Sequence, residues 1–434
     1  MQVTKQVIKR DGRKVEFDKL KIMSAVSKAF LEQYDSIDTE MYSCILKIAD
    51  EIENISKTKE LHVEEVQDLV ERKLMNTRYK DIAKAYINYR YLHGLARDQY
   101  KEMMDAVAEK LSAKNVQNQN ANVDEASFGG RIGEAADVVT KKYALEYLVS
   151  PMARANHENN EIYIHDLNSY AVGSHNCLSI PFDDLLAKGF NTRQTDVRPA
   201  QSINTAFQLV ALLFQIQSLQ QFGGVSATHL DWTMVPYVRK SFHKHWIDGM
   251  SYIERYDDLL NSDYYMGSFP KKGITDISIN SKLYEPKLYP GAYKYALEMT
   301  EREIKQAVEG FMHNCNTLQS RSGNQLPFSS INYGTCTLPE GRMITKALLE
   351  ASIKGVGKLH KTSIFPCGIF QCMTGVNRKP GDPNYDLFQL ALKSTSQRLY
   401  PNYANVDWSG NAGYDINEPR TYFSTMGKCK LQLM

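Results

Sequence analysis

The sequence predicts an α/β protein in two parts: a small N-terminal domain of hairpin and helices, then a larger barrel or layered sheet. Three observations predict it. A basic hairpin pattern and four helical stripes occupy the first 95 residues. Lys110 to Asn122 is poor in apolar residues and rich in amides (Asn115, Gln117, Asn118, Gln119, Asn120, Asn122), as a domain boundary would be. Beyond it, helical patterns alternate with short strand-like runs, and 434 residues exceed one typical domain.

Taken in order, Val7 to Phe17 forms two β-type runs around Asp11-Gly12, which supplies the positive φ angles of a tight hairpin. Asp18 can cap the helix that follows, striped by Ile22, Ala25, Val26, Ala29 and Phe30. Further helices are predicted over Met41–Ser56, Val63–Met75 and Ile82–Leu95, the last striped by Ile82, Ala85, Tyr86 and Tyr89. Past the linker, Thr205–Phe222 reads as a buried helix stopped by Gly223-Gly224. Glu303–Leu318 carries Ile304, Ala307, Val308, Phe311, Met312 and Cys315 on one stripe. Phe328–Tyr333 and Ile364–Phe370 read as strands and Leu387–Tyr400 as a helix.

Composition narrows the class. A hydrophobic share of 43% and a charged share of 24% are those of a globular chain. A net charge of +2 gives no electrostatic case for nucleic acid or a membrane surface. The aliphatic run Val210–Phe214 is too short to span a bilayer, and the N-terminus has no signal-peptide core. Seven cysteines without a short repeated spacing argue against a disulfide framework and for a reducing cytoplasm. No Cys-x-x-Cys pair occurs, so no metal site is expected here. Phe128-Gly-Gly-Arg-Ile-Gly133 follows no strand and is not a dinucleotide fingerprint.

Lys9, Arg10 and Lys21 fall where the hairpin meets the first helix, a place suited to phosphate charge, although a solvated hairpin is the ordinary reading of such a turn. The full string Val7-x-Lys9-Arg10-Asp11-Gly12, then Phe17-Asp18-x-x-Lys21-Ile22 and Tyr86-x-x-Tyr89-Arg90, resembles the ATP-cone domain of ribonucleotide reductases. That resemblance implies an ATP/dATP effector site lined by Val7, Lys9, Arg10, Asp18, Lys21 and Thr58. Downstream, a set of strings resembles the catalytic domain of anaerobic (class III) ribonucleoside-triphosphate reductases. It comprises Asn120 to Arg131, Tyr163-Ile-His-Asp-Leu167, Asn176-Cys177-Leu178, Arg321 to Phe328, Asn332-Tyr-Gly-Thr335, Ile364-Phe-Pro366, Gly381 to Asp386, Arg398-x-Tyr400-Pro401 and Ser424-Thr425-Met426-Gly427. Each is weak alone; their order over three hundred residues is not accidental.

The resemblance implies the first part of a ten-stranded α/β barrel of the ribonucleotide reductase and glycyl-radical type. The expected domains are an ATP cone over 1–95, a helix and linker over 96–122, the barrel over 123–427 and a divergent tail over 428–434. In the family a thiyl radical on the loop after Ser-x-Met-Gly abstracts the ribose 3′-hydrogen, so that the 2′-hydroxyl can leave as water. Cys177 matches the second cysteine, a reductant on an early strand, with formate commonly supplying the electrons. Met426 matches the loop, but Lys428 stands where the radical cysteine is expected. Cys429 is either that cysteine displaced by one position or a coincidence in an unrelated tail, and coincidence is favoured. Cys44, Cys315, Cys336, Cys367 and Cys372 read as structural, as does the His165-Asp166 pair.

The family's glycyl-radical segment and its four-cysteine zinc site have no counterpart in this sequence. The expectation is therefore a truncated chain, inactive and poorly soluble alone. The partners implied are ribonucleoside triphosphates, a radical-SAM activase, a second copy in a homodimer and a complementing C-terminal fragment. The alternative is a non-catalytic ATP/dATP-binding remnant or one part of a split enzyme. A glycyl-radical enzyme acting on another substrate is disfavoured by the ATP cone.

Overall fold

The computed structural model describes residues 6–112, 127–173, 177–221, 223–254, 273–319, 325–411 and 413–426. The chain divides into two compact units, Met1–Ala106 and Val107–Met434.

In the first unit, strands β1 (Gln6–Ile8) and β2 (Lys14–Glu16) form an antiparallel hairpin with Val7 opposite Val15. Its loop is longer than a two-residue turn. Lys9 N–H donates to Arg13 O at 2.9 Å, Gly12 N–H donates to Lys9 O at 2.9 Å, and only Gly12 takes a positive φ, 79°. A turn ending in one left-handed residue is the three-residue hairpin form, and it asks for one glycine. Asp18 caps helix α1 (Lys19–Gln33), its carboxylate accepting from Leu20 N–H at 3.0 Å. Asp38 caps α2 (Thr39–Ser56) in the same way, at 2.7 Å from Met41 N. A short strand that the periodicity does not show, β3 (Leu61–His62), lies parallel to β1 and leads into α3 (Val63–Met75). Helix α4 runs from Lys80 to Ser112, well past the stripe that ends at Leu95. Its buried residues Ile82, Ala83 and Tyr86 all lie in its first two turns. The boundary between the two units falls inside it. Val26, Phe30, Ile45, Ala49, Ile52 and Leu74 are fully buried at the centre of the bundle.

The second unit is built on a five-stranded parallel sheet. With β5 (Phe190–Asn191) and β6 (Asp196–Val197) forming a separate small ladder, the sheet strands are β4 (Leu178–Ser179), β7 (Val225–Ala227), β8 (Ser329–Tyr333), β9 (Cys367–Cys372) and β10 (Asn402–Asn405). Their order is β10-β9-β8-β7-β4, so each strand is followed by the helices that carry the chain back. One face is apolar. Val225, Ala227, Ile331, Tyr333 and Phe370 pack there against the helices Ile203–Ser218, Pro290–Thr317, Pro339–Lys354 and Tyr385–Arg398.

Three boundaries in this unit differ from the sequence reading by three residues or more, each for a local reason. The helix predicted from Glu303 begins at Pro290, because its first turns bury the small residues Ala292, Ala296 and Thr300 rather than a bulky stripe. Gly249 makes that close approach possible: a Cβ there would stand 2.9 Å from Ala292 Cα. The helix predicted to reach Phe222 stops at Ser218, and Gln221 instead donates to Gly224 O at 2.8 Å. The strand predicted from Ile364 begins at Cys367, after Pro366, which has no N–H to give a ladder. The amide of Asn316 serves the preceding stretch, accepting from Ile364 N at 2.8 Å and Phe365 N at 3.1 Å.

Candidate functional site

The residues of the strands alternate in facing, so the face opposite the helices carries Ser226, Ser330, Asn332 and Gln371. All four are buried. Buried Ile369 and Cys367 share this face, so the amides and hydroxyls stand beside apolar groups on it. The chain segment before Gly427 lies against Asn332 and Gln371.

That segment crosses the strands one after another. Gln371 on β9 donates to Phe423 O at 2.8 Å. Asn332 on β8 grips Thr425 from both sides: its Nδ2 donates to Thr425 O at 3.0 Å, and its Oδ1 accepts from Thr425 N–H at 3.1 Å. Met426 Sδ then comes to 3.6 Å from the position a Cβ on Gly224 would take, just before β7. Leu178, the first residue of β4, donates to Gly224 O at 3.0 Å. Cys177, partly buried, immediately precedes it. The loop thus runs β9, β8, β7, and the next strand in the sheet is the one that Cys177 leads into. Gly427, Lys428 and Cys429 lie outside the described residues.

At the C-terminal rim of the same strands, Arg420 reaches Asp183 at 3.0 Å. Asp183 also accepts from Thr233 Oγ1 at 2.6 Å and contacts His229 Nε2 at 2.8 Å, while His229 Nδ1 faces Thr228 Oγ1 at 2.7 Å. Burial alone would raise the Asp183 carboxyl, but the bonds from His229 and Thr233 and the charge of Arg420 outweigh it, holding the pKa at about 2. Asp231 is fully buried and satisfied by backbone alone, accepting from Gly334 N at 2.8 Å, Cys336 N at 3.0 Å and Trp232 N at 3.1 Å. Burial pushes its pKa up and those donors restrain the rise. His165 bonds Asp166, which itself adopts a left-handed φ of 61°. Cys315, Cys336 and Cys367 are buried in their packing, and burial pushes their thiols up.

In the first unit the predicted nucleotide residues are spread over the hairpin side of the bundle. Val7 packs on the core and Lys9 is half-buried. Arg10 pairs with Glu64. Thr58 caps the end of α2 through Ile55 O at 2.9 Å. Lys21 is exposed, its ammonium 3.6 Å from Asp18. Burial would raise the Glu64 carboxyl, but Arg90 and Arg10 together lower it. A cavity of about 350 Å³ opens between α1 and α4, lined by Lys21, Ser24, Lys28, Tyr86 and Tyr89 among others. Of the predicted set, only Lys21 lines it. Glu32 lines it too, so the cleft holds two lysines, one carboxylate and two phenol rings.

The sequence model of the family described as anaerobic ribonucleoside-triphosphate reductase matches residues 119–434, and that of the ATP cone domain matches residues 5–95. The chain belongs to the anaerobic ribonucleoside-triphosphate reductase family. The anaerobic ribonucleoside-triphosphate reductase of Haemophilus influenzae is 31% identical over 408 residues, 92% of this chain and 52% of that one. Its Escherichia coli counterpart is 30% identical over 93% of this chain and 52% of its own length. This chain therefore spans about half the length of the curated relatives it matches. The anaerobic ribonucleotide reductase of Thermotoga maritima, solved in complex with dATP and CTP, is similar over 73% of this chain and 50% of that one, at a TM-score of 0.44 and 14% identity.

Ser424, Thr425 and Met426 of the Ser-Thr-Met-Gly string named in the sequence lie within the segment that meets this face. The sequence points to Cys177 and Met426, and Asn332 stands in it only within the string Asn332-Tyr-Gly-Thr335. It gave no role to Gln371, Asp183, His229 or Arg420. The alternation Ser330–Asn332 on one face of a predicted strand was the available signal. Among the described residues no helix is long and apolar enough to cross a membrane, and no His/Cys/Asp/Glu cluster could hold a metal.

Proposed function

We propose that this chain forms the nucleotide-regulated first half of the reaction chamber of an anaerobic ribonucleoside-triphosphate reductase, acting in the cytoplasm. The observation that carries the reading is the loop 423–426 crossing from β9 to β7 over an amide-lined face, toward the strand that Cys177 precedes. In this reading a thiyl radical at the position after Gly427, which Lys428 fills in this chain, would take the ribose 3′-hydrogen, the 2′-hydroxyl would leave as water, and Cys177 would act as reductant on the opposite face. Formate is the source of electrons, oxidised to carbon dioxide. The glycyl radical and zinc belong to a complementing C-terminal segment, and a radical-SAM activase and a homodimeric partner complete the assembly.

The first unit binds ATP and dATP as effectors. The supporting features are the exposed Lys21 at the mouth of the α1–α4 cleft, and Lys28, Tyr86 and Tyr89 within it. Val7, Lys9, Arg10, Asp18 and Thr58, the other residues of the expected effector site, belong to it by the ATP-cone resemblance and do not line this cleft.

Two experiments test the two halves of the proposal. Isothermal calorimetry of ATP and dATP on the 434-residue chain is expected to show binding that weakens about tenfold or more in Lys9→Ala and in Lys21→Ala, since a charge-assisted phosphate contact contributes about 1.5–3 kcal/mol. Unchanged affinity in both variants overturns the effector site. Anaerobic co-expression of the Lys428→Cys variant with a glycyl-radical segment and activase, assayed for deoxynucleotides and the radical signal, is expected to give reduction that a further Cys177→Ala abolishes. Reduction that survives Cys177→Ala removes that residue from the chemistry.

A further inference from the structure

We infer that Asn332 is a positioning residue that sets the register of the loop 423–426 on the sheet, with Gln371 as a secondary hold. The loop has no backbone ladder to any strand, yet it is not loosely laid on the face. Thr425 offers its N–H and its C=O to one side chain, and only a group with a donor and an acceptor side by side can meet both. Asn332 does so at 3.1 and 3.0 Å. The same amide is itself held, Nδ2 lying 3.0 Å from Ala227 O and 3.2 Å from Ser226 Oγ on the neighbouring strand. It therefore has one orientation, because turning it over would point its oxygen at Ala227 O.

Gln371 completes the arrangement two residues upstream. Its Nε2 reaches both Phe423 O at 2.8 Å and Thr228 O at 3.4 Å. Phe423 and Thr425 present their peptide groups to the sheet with the period of two that an extended segment requires. Asn332 and Gln371 lie on adjacent strands, and both are fully buried. A slip of the loop by one residue would turn its peptide groups away from both amides and leave them unsatisfied. Register is thus fixed by two side chains, and with it where Met426 lies beside Gly224 at the start of β7. The inference builds on the reading that this loop delivers the reactive residue, but its test depends on no chemistry.

The test is amide hydrogen exchange on the 434-residue chain, comparing segment 422–426 with the helix Ile203–Ser218 as internal control. The Thr425 amide is expected to be protected, and Asn332→Leu is expected to speed its exchange about tenfold or more while the control helix is unchanged. Gln371→Leu should leave the Thr425 N–H protected, since that side chain holds only a carbonyl. Asn332→Asp supplies the signature that mere space-filling lacks. Its ionised form cannot donate and turns a charged oxygen toward Thr425 O and Ala227 O, which repels the loop, whereas its protonated form has one O–H to give Thr425 O while its other oxygen accepts from Thr425 N–H. Protection should therefore return as pH is lowered toward about 5. If Asn332→Leu disturbs the control helix as well, Thr425→Pro decides, because it removes the donor from the loop side. Release of residues 423–426 with an intact helix supports the inference, and unchanged exchange there refutes it. An unprotected Thr425 amide in the native chain, protection surviving Asn332→Leu, or no pH recovery in Asn332→Asp would equally overturn it.

Discussion

The two units of this chain are stabilised by different means. The N-terminal unit buries a continuous apolar core and, among its described residues, one polar side chain, Ser56. Its charges stay outside, in pairs such as Arg78–Glu40, Lys73–Glu51 and the Arg90 cluster with Glu64, Asp68 and Glu71. The sheet unit buries Asp231, Glu340, Asn332, Gln371, Asn377 and Asn384, all at zero exposure. These join strand ends, turns and the loop. Asn384 and Asn377 both donate to Gly334 O, at 3.1 and 3.0 Å, while Asp231 takes Gly334 N–H at 2.8 Å. The contrast teaches where substitutions will hurt. A solvent-exposed pair gains little over water, whereas a buried donor that loses its acceptor pays the full cost of its desolvation.

The largest effect should come from Asp231→Leu. Three buried N–H groups would lose their acceptor, and a loss of about 3 kcal/mol or more is expected, enough to abolish the cooperative transition of the sheet unit. Scanning calorimetry should show the transition of the N-terminal unit unmoved; a shift of less than a few degrees in the sheet unit would break the contrast. Gly249→Val is next, at about 1–3 kcal/mol, because its side chain would enter the contact with Ala292. Urea unfolding would check it, and a neutral outcome would mean that the helices Val235–Gly249 and Pro290–Thr317 can part at little cost.

Asp183 sharpens the comparison through pH. Its folded pKa of about 2 lies below the unfolded value near 3.9, so the unfolded chain binds more protons between those two values. The stabilisation is present above about pH 4 and is lost as pH falls toward 2. Discounted for the exposure of Arg420, it amounts to about 1–2 kcal/mol. The stability difference between the native chain and Asp183→Asn should shrink through that window, and a difference independent of pH would refute the assignment. The smallest effect is expected from Arg78→Ala. Although Arg78 pairs with Glu40 and lies 4.9 Å from the Tyr79 ring, both charges are two-thirds exposed, and no measurable change in the urea midpoint of the N-terminal unit is expected. A midpoint shift as large as that of Gly249→Val would show that the surface network of the N-terminal unit matters as much as the buried one of the sheet.

The sequence by itself determined the N-terminal helices, because a bundle with an apolar core writes its packing as a 3.6-residue stripe. Val63–Met75 has the predicted ends, and Ile22, Val26 and Phe30 are buried as their spacing requires. It also determined the family, through short strings whose order survives even where each is weak. Tertiary structure alone decided β3, two residues long and too short to show a period, and the start of the helix at Pro290, where alanines pack against Gly249. It alone decided the loop site as well. Asn332, Gln371 and Asp231 are polar residues that sequence patterns assign to the surface. They are buried because strands and segments distant in the chain, β7, β8, β9 and the loop 423–426, bring backbone donors and acceptors to them. A polar side chain carries no sign in its own neighbourhood of which remote peptide group will satisfy it.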